Sequence, residues 1–163
     1  MRPLALRAAA AGAGLVALVS IARADAPPGQ YRVFNRSDVV IIDNGTQLTW
    51  QRAVVYQATS FADATSYCAG LALSQTPGWR VPSYKELLTL VDESPHTEYP
   101  TGAPVQIAID ASAFPGTPVD QPYWTSSVYL QGATSAYAVR FSDGAGLAVL
   151  MATPGYYVRC VHD

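Results

Sequence analysis

The least ambiguous pattern of apolar and polar positions lies at residues 78–87, Gly-Trp-Arg-Val-Pro-Ser-Tyr-Lys-Glu-Leu. Gly78 permits a turn, and Trp79 and Val81 alternate around Arg80 as in a short strand. Pro82 has no N–H and biases Val81 towards an extended backbone. Ser83 and Glu86 then stand at capping-box spacing ahead of Leu87 and Leu88, so a helix is predicted near 83–92, with Leu87, Leu90 and Val91 on one face. Pro82 and Leu87 are placed to staple its start. Ser60 (or Thr59) and Asp63 repeat the capping signal upstream. Phe61, Ala64, Cys68 and Leu71 follow at spacings of three, four and three, which predicts a helix near 60–71 with Cys68 towards the core.

Strand patterns fill most of the rest. A short strand is predicted at 31–34. A β-branched run at 39–42 and an alternating run at 47–50 flank Asp43-Asn44-Gly45-Thr46, where Asn-Gly suits a tight hairpin turn. The last third alternates at 136–141, 146–151 and 156–161, punctuated by Asp143-Gly144 and Thr153-Pro154-Gly155, and Tyr123-Trp124-Thr125-Ser126-Ser127 opens it. In this alternation Tyr156, Val158 and Cys160 share one face. Arg159 and Arg140 point outward on neighbouring strands as a small basic strip. Residues 92–121, rich in proline and without periodicity, read as one long irregular loop, the kind of segment that carries function on a rigid scaffold or packs down through Ile107, Ile109 and Phe114. The whole predicts a single α+β domain.

The first 24 residues stand apart from that fold. Arg2 and Arg7 precede an uncharged apolar run that ends at Ala22-Arg23-Ala24, a secretory signal peptide cleaved after Ala24. The run is shorter than the ~20 residues that span a bilayer, so no stable membrane span is expected after cleavage. Residues 25–38 form a leader with the first strand, and residues 39–163 form the domain. Arg2, Arg7 and Arg23 are three of the ten basic residues, against twelve acidic ones, so the exported part is more acidic than the net −2 of the whole chain. With no basic run, nucleic acid is not an expected partner. Export places Cys68 and Cys160 in an oxidising compartment, where two cysteines most simply form one disulfide, the alternative being a free catalytic thiol.

Candidate chemistry is sparse. His96 and His162 are the two histidines, no pair has ligand spacing, and no metal or cofactor is expected. Asp92, Glu93 and Glu98 offer oxygens near the loop without an EF-hand pattern. Ser126-Ser127 and Asp143 have no base in a recognisable motif. Asp92 with Glu93, or Asp110 with Asp120, can be read as catalytic carboxylate pairs or as surface acids. Arg80, between apolar neighbours, can close an ion pair with Glu86 or Asp92 or face a ligand. The ten tyrosines can line a sugar-binding face or cover a small core with their hydroxyls outward.

These blocks resemble a known family. Residues 43–52 resemble the "D-n-x-T-G-L-x-W-x-R" opening of DUF1566, also called the Lcl C-terminal domain. Residues 64–73 resemble its "A-x-x-Y-C-x-x-L-x-L" helix and residues 78–87 its "W-R-L-P-T-x-x-E-L" hallmark. "I-D-x-x-x-F-P" at 109–115, "Y-W-S-S" at 123–127 and the closing strands around 141–144 and 157–161 follow in family order. Trp50, Trp79, Arg80, Pro82, Glu86, Trp124 and Arg159 are the structural hallmark positions. The resemblance implies a C-type-lectin-like fold related to the sulfatase-modifying-factor fold: two helices on a twisted antiparallel sheet with a long loop, and a disulfide from first helix to last strand, matching Cys68–Cys160. It implies an exported bacterial module, periplasmic or extracellular, that binds a surface glycan or an envelope protein in an adhesion-like role and is not an enzyme. His96, Tyr99 and Tyr129 are the candidate ligand-binding residues. The alternatives are an enzyme using loop carboxylates and a purely structural envelope component. The chain departs from the family at Thr46-Gln47, where Thr-Gly is usual, and in its few basic residues, which do not favour a sulfated ligand. The calcium-type sugar motifs of true C-type lectins are absent from the sequence.

Overall fold

The computed structural model describes residues 26–34, 39–54, 56–58, 60–99 and 102–163; the signal peptide expected at 1–24 lies outside them. The fold is α+β. Strands β1 (Tyr31–Val33), β2 (Val40–Asp43), β3 (Thr49–Gln51) and β4 (Gln57–Ala58) precede helix α1 (Phe61–Ala69) and helix α2 (Tyr84–Leu88). Strands β5 (His96–Glu98), β6 (Val105–Ile107), β7 (Tyr123–Val128), β8 (Ser135–Val139), β9 (Gly146–Leu150), β10 (Tyr156–Tyr157) and β11 (Val161–His162) follow.

The strands form two sheets and a hairpin, where the sequence suggested one antiparallel sheet. One sheet runs β1-β2-β3-β11, the other β4-β10-β7-β8-β9, and β5 pairs with β6. The contact of β10 with β7 is parallel, Tyr157 opposite Tyr123. Neighbouring residues of one strand serve different cores: Ile41, Trp50, Leu87, Phe114, Tyr123 and Phe141 belong to one buried cluster, whereas Val40, Trp79, Trp124, Val158 and both cysteines belong to the other. Val40 with Ile41, and Tyr123 with Trp124, are neighbours buried in different clusters, which is why these positions do not alternate.

Local signals work as chemistry requires. The Ser60 side chain caps α1 by accepting from the Asp63 N–H, 3.1 Å. Ala64 and Cys68 are buried on the face turned to the second cluster. In α2 the capping box is complete: Ser83 Oγ accepts from the Glu86 N–H at 3.2 Å and Glu86 Oε2 from the Ser83 N–H at 2.7 Å. Gly78, at φ +90°, makes the turn that leads into this corner.

Three expectations are corrected. The second helix, expected near 83–92, ends at Leu88, because Thr89 Oγ1 donates to the Glu86 carbonyl at 2.7 Å and the Asp92 N–H turns away to the Ala108 carbonyl at 2.9 Å. The turn after β2 is longer than a two-residue Asn-Gly hairpin. Asp43 accepts from the Gly45 N–H and the Thr46 hydroxyl, each at 2.8 Å, and the positive φ falls on Gln47 at +64°. The segment 156–161 is not one strand. It pairs in one sheet through β10, crosses at 158–160, and joins the other through β11. Val158, Arg159 and Cys160 are all buried in that crossing, so period-two alternation does not describe it.

The crossing carries the disulfide. Cys68 on α1 bonds Cys160, 92 residues away. The Gln51 N–H donates to the Cys160 carbonyl at 2.9 Å, and Gln51 Oε1 accepts from the Cys160 N–H at 3.2 Å.

Candidate functional site

The hallmark residues form the frame. Trp50 and Trp124 are fully buried, and Trp79 is nearly so, its indole N–H donating to the Thr76 carbonyl at 2.8 Å. The Pro82 carbonyl accepts from Ser126 N–H at 2.7 Å, and Ser127 Oγ accepts from Tyr84 N–H at 3.0 Å. The Ser126-Ser127 pair thus fastens β7 to the start of α2.

Arg80 takes the ion-pair reading with Glu86, not Asp92. Its two terminal nitrogens meet the two Glu86 oxygens at 2.9 and 2.8 Å, and it also bonds Asp163, a partner no sequence pattern indicated. The hydrogen bond from Arg80 holds the Glu86 carboxyl at about 2, and the same bonds raise the Arg80 pKa.

Arg159 corrects the expectation of an outward basic strip. It is fully buried, donates to the carbonyls of Gln51 (2.7 Å) and Arg52 (2.6 Å) and to Thr117 Oγ1 (2.7 Å), and lies 4.6 Å over the Phe114 ring. Burial lowers its pKa to about 10, which leaves it cationic at neutral pH. Arg140 pairs instead with Asp143, so no strip forms.

The segment 92–121 is not an irregular loop throughout. It contains the β5–β6 hairpin, with His96 opposite Ile107 and Glu98 opposite Val105. Ile107, Ile109 and Phe114 are buried and anchor it. His96 Nε2 lies 3.3 Å from Glu98 Oε1, and Tyr99, just beyond β5, is 66% exposed. Tyr129 lies beyond the end of β7, in the other sheet, its hydroxyl donating to Gln131 Oε1 at 3.0 Å. Among the described residues no hydrogen bond or ring contact joins Tyr129 to His96 or Tyr99.

Tyr129 has different company. Its ring meets Tyr137 edge-on at 5.4 Å, and Tyr137 lies 4.9 Å from Tyr84 at an interplanar angle of 33°. Tyr84 is far in the chain from the other two, so its place beside them had no sequence signal beyond tyrosine abundance.

Two concave regions accompany these features. A groove of about 310 Å³ lies between Pro27 and Tyr31 on one side and Asp92, Glu93 and Asp110 on the other. Asp92 Oδ1 accepts from Ser94 N–H at 2.8 Å, while its Oδ2 is buried without a hydrogen bond. Asp110 Oδ1 accepts from Ser112 and Ala113. No set of three metal-ligating side chains exists among the described residues. A smaller pocket of about 200 Å³ is lined by Phe34, Leu73, Trp79 and His162. No helix among the described residues is long and apolar enough to cross a membrane.

In comparisons with known proteins, the family described as the Lcl C-terminal domain matches residues 39–162. No curated protein matches the chain.

Proposed function

Given that the chain belongs to the Lcl C-terminal domain family, we propose that it is an exported, non-catalytic recognition module for a surface glycan or an envelope protein, with a C-type-lectin-like arrangement of its sheets. The observation that carries this reading is a rigid frame presenting partly exposed aromatic residues. The Cys68–Cys160 disulfide and the Arg80–Glu86 ion pair tie helices to strands. Tyr99 stands exposed beside the hairpin, and Tyr129 stands at the end of the five-stranded sheet. A preorganised frame confines the ordering cost of binding to a few side chains. The leader at 1–24 supports delivery to the periplasm or the cell exterior, and N-terminal sequencing of the exported protein should begin at Asp25.

The test is a glycan array, with and without calcium, alongside a pull-down against envelope proteins. Tyr99→Ala, His96→Ala and Tyr129→Ala are expected to separate binding from stability: at least one weakens binding while the melting temperature holds. Asp92→Asn, Asp110→Asn and Asp120→Asn should leave binding intact. A second reading, an enzyme using loop carboxylates, draws on the acidic groove with its unbonded Asp92 Oδ2. Turnover abolished by one of these Asn substitutions would establish it and end the recognition reading. A structural envelope component would bind no glycan and co-purify with other envelope proteins.

A further inference from the structure

We propose that β9 is the contact strand of a two-fold homodimer, pairing antiparallel with β9 of a second copy so that two five-stranded sheets become one. This goes beyond the recognition reading and holds whatever the module binds. β9 ends the sheet order β4-β10-β7-β8-β9, and among the described residues no strand pairs with its far side. The bonds of the β8–β9 hairpin set which groups face outward. The Arg140 N–H donates to the Ala145 carbonyl at 3.0 Å, and the Met151 N–H donates to the Thr134 carbonyl at 2.8 Å. In an antiparallel pair every second opposed couple is bonded, so Leu147 and Val149 turn their backbone groups to Ala138 and Ala136. Gly146, Ala148 and Leu150 turn theirs to the open edge, and all three are exposed.

The other sheet edges carry protection that this one lacks. β1 has three residues and carries Arg32, and β4 and β11 have two residues each. β11 is also met by Arg80, which bridges to Val161. The hairpin strand β5 has three residues, two of them His96 and Glu98. β9 has five residues, Gly-Leu-Ala-Val-Leu, with an unbroken register against β8. Residues 144–158 contain no charged side chain. A long, uncharged apolar edge without proline or bulge is a template for another strand.

A second copy fits this edge because the edge is complementary to itself. A two-fold axis at Ala148 sets Ala148 opposite the partner's Ala148, Leu150 opposite the partner's Gly146, and Leu147 opposite the partner's Val149. The Ala148 N–H then donates to the partner's Ala148 carbonyl, and the Leu150 N–H to the partner's Gly146 carbonyl. The Leu150 carbonyl, which already accepts from the Thr153 N–H at 2.9 Å, is not required. Leu150 is 60% exposed, and the residue it meets across the axis has no side chain. It comes to lie beside the Tyr84 ring that rests on that glycine. The uncharged run means that no like charges oppose each other across the axis, and the contact closes as an isologous pair.

The experiment follows the full exported chain from about 10 µM to about 1 mM by light scattering and by the β9 amide signals in NMR, a range suited to a small interface. A monomer–dimer equilibrium is expected, in which the Gly146, Ala148 and Leu150 amides shift and gain protection from solvent exchange as the dimer forms. The Leu147 and Val149 amides should be protected at every concentration. Ala148→Lys and Ala148→Glu each place like charges across the axis and should weaken association at least about fivefold, and mixing the two variants should restore it. Ala148 is exposed, so the melting temperature of each variant should hold. The wild-type amide pattern decides the matter even if a variant fails to fold. A chain that stays monomeric to about 1 mM overturns the proposal and leaves the edge to a strand of another protein. A dimer in which the three alternate amides are unchanged also overturns it, as do growth beyond a dimer and variants that associate as the wild type does. None of these outcomes depends on glycan binding, so failure here is distinct from failure of the recognition reading.

Discussion

Replacing both Cys68 and Cys160 by Ala tests how the fold is held. The bond closes a loop of 92 residues, and the chain-entropy relation for a loop of that length gives about 4.6 kcal/mol at 25 °C. Residual compactness of the unfolded chain reduces this, so a loss of ~3–4 kcal/mol is expected. The native state should change little. Both cysteines are fully buried, alanine fits their sites without burying a hydroxyl, and the two Gln51–Cys160 hydrogen bonds persist without the sulfurs. The loss therefore acts through the unfolded ensemble, and it is large against a total stability of roughly 5–15 kcal/mol. Urea unfolding of oxidised wild type and the double variant measures it, and near-ultraviolet circular dichroism checks that the packed aromatics are unchanged. The melting temperature should fall by about 10–20 °C. A loss below about 1 kcal/mol, with native spectra retained, would refute the loop-closure argument.

Acid stability should follow Glu86. Its carboxyl is held from 4.5 down to about 2 by Arg80, so its contribution is complete above pH 4.5 and is lost as pH falls towards 2. Because the pair is partly exposed and screened, the loss should be ~1–2 kcal/mol, seen in urea melts across that range and flattened by Glu86→Gln. Arg159→Met relieves the desolvation of a buried cation but takes the guanidinium donors from the Gln51 and Arg52 carbonyls, while the Thr117 hydroxyl keeps its bond to the Phe114 carbonyl. The stranded acceptors outweigh the relief, and a net loss of ~2–4 kcal/mol is expected in the same melts, with wild-type stability as the refuting result. Gln47→Gly relieves a non-glycine residue at φ +64° but adds unfolded-state entropy. The balance should stabilise by ~0.5 kcal/mol, and a fall in melting temperature would contradict it.

What the sequence determined by itself was local. Turn, strand, cap and helix at 78–87 follow from residues within ten positions of one another, and the capping box forms as its spacing requires. The same holds for the buried face of α1, whose period places Cys68 inward. The hairpin β5–β6 escaped notice because its strands are three residues long and set among prolines. The Ala108 N–H there bonds the Phe141 carbonyl, a distant partner no local pattern reveals. Tertiary structure alone decided the place of Arg159. Alternation along 156–161 puts it outward, but the chain changes sheets there, and both sides of the crossing are enclosed. The guanidinium then finds acceptors at Gln51, Arg52 and Thr117, which close only once both sheets and the 109–117 segment have assembled. The contact of Tyr84, Tyr129 and Tyr137 is decided the same way, since the pairing of β7 with β8 and the docking of α2 on β7 through the Tyr84 N–H and Ser127 Oγ bring the three rings together.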